Sequence, residues 1–134
     1  MGAWGTGVFE NDDAADFVNE VVDGSALSPI QASIDCVLQV GSNYLELPEA
    51  ARALAAAAIL VRLKHRAAEV GDGTPELSEW IAKTKLVPSQ DLLEKARQAI
   101  ERVLTEPSEE LELWSESEHF DEWKASVESL TAQL

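Results

Sequence analysis

Cysteine is nearly absent from this 134-residue chain: Cys36 is the only one. No internal disulfide can form, which suits a reducing cytosol. Basic residues are also scarce, and residues 1–51 hold nine acids with no lysine or arginine. Clustered cations are what phosphate backbones require, so direct nucleic-acid binding is not expected. Histidine is limited to His65 and His119, far apart and without a companion ligand pattern. No nucleophile and orienting group can be assigned around either, so no catalytic residue is named. Long apolar runs are missing too. The longest is Ala53 to Val61, less than half of the roughly 20 residues that span a bilayer. The chain opens without a basic region followed by an apolar run, unlike a secretory signal. A cytoplasmic protein with no membrane partner is the expectation.

What is present is acid. The formal net charge is −15, and it is unevenly spread. Residues 52–105 carry a net +2 and residues 106–134 a net −8, with Lys124 the only base in that last stretch. Two dispositions are open. The acidic ends can dock on the more basic middle, or the excess can remain exposed and attract a basic partner.

The length fits one domain, which would bury roughly two-thirds of its unfolded surface. Leucine, alanine and glutamate are plentiful, and glycine and proline sit at segment edges. The expected fold is therefore a single all-α domain over residues 1–134. It is a bundle of about six helices around a central alanine-rich helix.

Helix one spans about Asp12 to Asp23, capped by Asn11 or Asp12 and closed by Gly24. Its stripe is Ala14, Phe17, Val18, Val21 and Val22. Helix two opens at Ser28-Pro29, with Ser28 as N-cap and Gln31 completing a capping box. Helix three runs from near Pro48 to about Val70 and is apolar on every face in its middle, as a surrounded helix must be. Helix four follows Thr74-Pro75, with Leu77, Trp80 and Ile81 inward. Helix five follows Pro88-Ser89. Its Leu92, Leu93, Ala96, Ala99, Ile100, Val103 and Leu104 give the clearest amphipathic pattern. The segment after Pro107 forms one kinked helix or two short ones, with Ser115 and Glu118 as a second capping box.

The opening, Met1-Gly-Ala-Trp-Gly-Thr-Gly-Val-Phe-Glu-Asn-Asp-Asp-Ala-Ala-Asp-Phe17, combines glycines, aromatics and carboxylates. Residues 1–11 are expected to form a docked arm, with Trp4 and Phe9 inserted into the core. This stretch resembles the start of an uncharacterised bacterial family, the domain of unknown function 4259. The tail Ser108-Glu-Glu-Leu-Glu-Leu-Trp114, with Glu122-Trp123 and the Val127, Leu130 and Leu134 stripe, is similar to the same family. Phe17 stands where the family would have tryptophan, a mild change at an apolar site. The resemblance implies a small bacterial cytosolic protein and brings no activity, cofactor or catalytic residue.

The candidate binding residues are Trp4, Glu10, Asp12, Asp13 and Asp16. Helical spacing puts Asp12 and Asp16 on one face, with Glu20 a turn further on. Such oxygens could hold Mg²⁺ or Ca²⁺, but acids at a helix start are explained by the helix dipole. No metal or cofactor is expected. The glycines fit neither phosphate-loop fingerprint. Cys36 is expected to be an inert, partly buried thiol, and the tryptophans are expected in the core. The function expected is a non-enzymatic protein-interaction module, an antitoxin-like or immunity-like partner of a basic protein. A metal-binding protein or enzyme using the acidic cluster, and a nucleic-acid mimic, are the alternatives.

Overall fold

A computed structural model describes Phe9 and residues 11–24, 27–65 and 75–134. Among these residues the chain forms seven helices and no strand. They are α1 (Asp12–Gly24), α2 (Ser28–Gln39), α3 (Leu47–Lys64), α4 (Pro75–Lys83), α5 (Gln90–Val103), α6 (Glu109–Ser115) and α7 (Phe120–Gln133). The all-α architecture is as the periodicity requires. The last sequence segment is two helices, which makes seven rather than six.

The centre is α3. Every residue from Ala50 to Leu63 is buried except Arg52 and Arg62. It packs against α1, α2, α5, α6 and α7. Its alanines let these neighbours approach closely, and an interior at crystal-like density leaves no room for larger groups there. The helix ends earlier than expected. Lys64 is its last residue, and His65 leaves helical geometry (φ −109°, ψ 61°) while its N–H still reaches Val61 O at 2.9 Å.

The caps follow sequence in part. Asn11 Oδ1 accepts from the Ala14 N–H at 2.8 Å, and Ser89 Oγ accepts from Leu92 N–H at 3.1 Å. Both satisfy orphan amides of a first turn. Ser28 does not cap α2, because it is already the first helical residue. Leu27 stands in the cap position with αR backbone and no side-chain bond, and its side chain packs against the core. Ser115 does not cap α7 either. It closes α6, its Oγ donating to Glu112 O at 2.8 Å, and His119 precedes α7 without a side-chain cap.

The connections after α2 and after α5 are fastened together. Leu45 N–H donates to Pro107 O at 3.1 Å, and Glu109 N–H donates to Leu45 O at 2.9 Å. Glu109 Oε1 accepts from Leu47 N–H at 2.8 Å, so α6 supplies the cap that α3 lacks locally. Gly41, at φ +60°, allows the turn after α2. Arg102 binds the whole corner. Its guanidinium donates to Gly41 O (2.9 Å), Asn43 O (2.7 Å), Thr105 O (2.7 Å) and Pro107 O (3.0 Å). Arg102→Met should keep the stem and lose these charge-assisted bonds. We expect a loss of about 2 kcal/mol in urea denaturation, with Arg102→Lys recovering only part because an ammonium lacks the planar fork.

Candidate functional site

The placement of the cations decides what surface the molecule presents. Lys64 Nζ donates to Leu134 O at 2.8 Å, and Arg97 donates to the same oxygen. His65 Nε2 lies 2.9 Å from Gln133 O. These groups converge on the C-terminal turn of α7, where carbonyls lack intrahelical partners and the dipole is negative. Arg102 is committed to carbonyls as well. The ion pairs between described residues are Lys95–Asp35 (3.8 Å), Arg97–Glu94 (2.8 Å) and His119–Glu122 (3.4 Å). Lys64, Arg97 and Arg102 therefore answer main-chain oxygens, and Lys95 and Arg97 answer carboxylates.

Most of the described carboxylates are left on the outside. Asp12, Asp16, Glu20 and Asp23 are all exposed, and their spacing draws them into one stripe along α1. Glu112, Glu116, Glu118, Asp121, Glu122 and Glu128 are exposed on and between α6 and α7.

Of the five residues singled out from sequence, Trp4 and Glu10 lie outside the described residues. Phe9 is half-buried and packs against the core. Asp12 and Asp16 belong to the open stripe. Asp13 is half-buried and faces a different environment from its neighbours. Among the described residues no three His, Cys, Asp or Glu side chains come together in a way that could hold a metal ion. Adjacent carboxylates on one convex helix face do not converge, whereas a hard cation takes six to eight oxygens.

One acid breaks the pattern. Glu110 is only 5% exposed. The indoles of Trp114 and Trp123 lie beside its carboxyl. The two indoles stack, with centroids 5.9 Å apart and planes 9° from parallel. Burial pushes the Glu110 carboxyl up to about 7 from its ordinary 4.5. The two indoles favour the charged form and pull it back, and the charges of Asp13 and Glu109 raise it further. The arrangement ties α6 to α7, and its field reaches α1. Sequence reasoning passed over Glu110 because it stands among Glu109 and Glu112, which look the same in a string of letters. The usable signal was Trp114 one turn after it.

A cleft of about 240 Å³ opens between three helices. Its lining comes in one-turn steps: Phe17 and Glu20 from α1, Ala32, Ser33 and Cys36 below Pro29 on α2, and Glu49 and Arg52 from α3. Cys36 is exposed there rather than partly buried. The inward stripe of α2 is Ile30, Ile34 and Val37, which turns position 36 away from the core. Glu49 Oε2 is buried without a hydrogen-bond partner. A second cleft of about 230 Å³ includes Asp35 and Lys95, whose charges already answer each other.

No helix among the described residues is long and apolar enough to cross a membrane. Comparison with curated proteins finds no match, and comparison with solved structures finds none. A family model, described as a domain of unknown function (DUF4259), matches residues 2–126. With nearly its whole length covered by that match, the chain belongs to the domain of unknown function 4259 family.

Proposed function

We propose that this protein is a non-enzymatic interaction module whose acidic surface receives a basic protein, in the manner of an antitoxin-like or immunity-like partner. The observation that carries this reading is the destination of the cations. Lys64, Arg97 and Arg102 donate to main-chain oxygens, and none of the ion pairs between described residues involves the acidic stripe of α1. A net charge of −15 then produces a field that steers a positively charged protein toward that stripe and disfavours acidic competitors.

Neutralising the stripe tests it. The triple variant Asp12→Asn, Asp16→Asn, Glu20→Gln changes only exposed side chains, so the fold should be unaffected. The full chain should capture a partner at low salt that proves basic on identification. The variant should associate with it about tenfold more slowly. A partner without net positive charge, or an association rate indifferent to the three substitutions, would overturn the reading. If the partner is itself a nucleic-acid-binding protein and nucleic acid competes, the carboxylates are standing in for phosphates.

A further inference from the structure

We infer that α6 and α7 form a proton-held latch on the body of the fold. Glu110, closed in against the stacked Trp114–Trp123 pair, keeps the two helices seated while it carries its proton, and its ionisation lifts the corner between them. This does not depend on the reading of the acidic stripe as a docking face.

The surroundings of Glu110 favour a neutral group. It is almost fully buried, and none of the ion pairs between described residues includes it. The charges that bear on it are Asp13 from α1 and Glu109 from its own helix, both negative. Other charged residues of the neighbouring helices are directed elsewhere. On α3, Glu49 and Arg52 line the cleft toward α2, Arg62 donates to Ser78 Oγ, and Lys64 donates to Leu134 O. On α7, Asp121, Glu122, Lys124 and Glu128 are exposed, off the inward stripe of Trp123, Val127 and Leu130. On α1, Asp12 and Asp16 are exposed, and on α6 Glu112 is turned to Tyr44. A carboxyl walled by indoles and faced by two acids is disfavoured when charged. Sealed in place it keeps its proton to about pH 7, against an ordinary 4.5. An opening that returns it to water therefore becomes easier as pH rises between those values.

The anchors decide which part moves. The entrance to α6 is pinned, because Glu109 N–H donates to Leu45 O and Glu109 Oε1 accepts from Leu47 N–H. The far end of α7 is pinned where Lys64 and Arg97 donate to Leu134 O. Between these anchors lies the corner at residues 116–119, mostly exposed. It is closed by bonds to its own neighbours, Ser117 N–H to Trp114 O at 2.9 Å and Phe120 N–H to Ser117 O at 3.2 Å. The cluster of Trp114, Phe120 and Trp123 seats this corner, and the Glu110 carboxyl lies beside two of its three rings. A seven-residue helix at the edge of a bundle can open without the core that α2, α3 and α5 share, since local opening costs less than global unfolding.

Hydrogen exchange of the full chain tests the latch, read by segment at about pH 5.5 and about pH 8.5 and corrected for the intrinsic pH dependence of amide exchange. The α6–α7 amides should exchange at least about tenfold faster than those of α5 at both values, because the latch opens without the body. Their protection should fall about 30-fold across the interval, the ratio set by titration at 4.5 when open and about 7 when closed. Glu110→Gln should abolish that fall while its α6–α7 amides stay faster than those of α5. Asp13→Asn leaves Glu110 in place and relieves one repulsion, so the fall should shrink. Exchange of α6–α7 and α5 at one rate would overturn the latch, since only global unfolding would then be exposing both. So would a fall that persists in Glu110→Gln or, should that variant not fold, a fall that Asp13→Asn leaves unchanged.

Discussion

Trp123→Ala is expected to lower the unfolding free energy by about 3–5 kcal/mol. The side chain is only 2% exposed. It stacks on Trp114, lies 6.1 Å from Phe120 at a tilt of 31°, and sits beside the Glu110 carboxyl. Truncation leaves a cavity at the junction of α6 and α7 and strips the indole stack from beside a buried carboxyl, so the transfer and cavity losses add. Trp123→Phe keeps a six-membered ring in the stack and loses the rest of the bicycle with its N–H, so it should cost less, about 1–2 kcal/mol. Urea denaturation of the three proteins at one pH reads both. A Trp123→Ala variant as stable as the parent would mean that the α6–α7 junction contributes nothing to the fold.

The second large effect is a pH dependence that originates in Glu110. Its carboxyl titrates at about 7 in the folded protein and ordinarily at 4.5. The folded state thus holds this proton more tightly than the unfolded chain. Between those two values the folded state binds more protons, so stability declines as pH rises. The contribution is fully present below about pH 4.5 and gone once pH passes about 7. The amount lost is about 3 kcal/mol. Other carboxylates also repel one another as pH rises, so the comparison is with Glu110→Gln, which shares that background and does not titrate here. The stability difference between parent and variant should change by about 3 kcal/mol between pH 4.5 and 8, in favour of the variant at the higher pH. A difference that stays flat would show that Glu110 does not hold its proton near neutrality.

Much of the fold was legible because local and tertiary requirements agree. The stripe of α5 appears in the structure nearly residue for residue, with Leu104 half-buried at its end. The all-round apolar centre of α3 is in fact surrounded. Asn11 and Ser89 cap as their chemistry suggests. The misreadings arose where a distant contact decides a local geometry. Leu27 packs on the core, and the helix begins at Ser28, so the serine cannot cap it. Glu109 caps α3 from a remote segment, which no window around Pro48 reveals. The break after Ser115 lets α6 and α7 lie side by side with both indoles on one carboxyl. The site was less legible than the fold. Acidic residues are interchangeable in a sequence, and only packing distinguishes buried Glu110 from exposed Glu112, or half-buried Asp13 from Asp12. The destinations of Lys64, Arg97 and Arg102 were likewise illegible, because a main-chain oxygen leaves no mark in a sequence.

The central claim is that uncompensated acid on α1 guides a basic protein to this surface. Its most direct test is the association rate of the captured partner with the full chain, measured as ionic strength rises from roughly 0.02 to 0.3 M. Across that interval the screening length falls from about 20 Å to about 6 Å. The account predicts a steep decline in association rate with a much smaller change in dissociation rate, because steering acts before contact. An association rate that stays constant over the same range would contradict it, and the charge would then serve solubility alone.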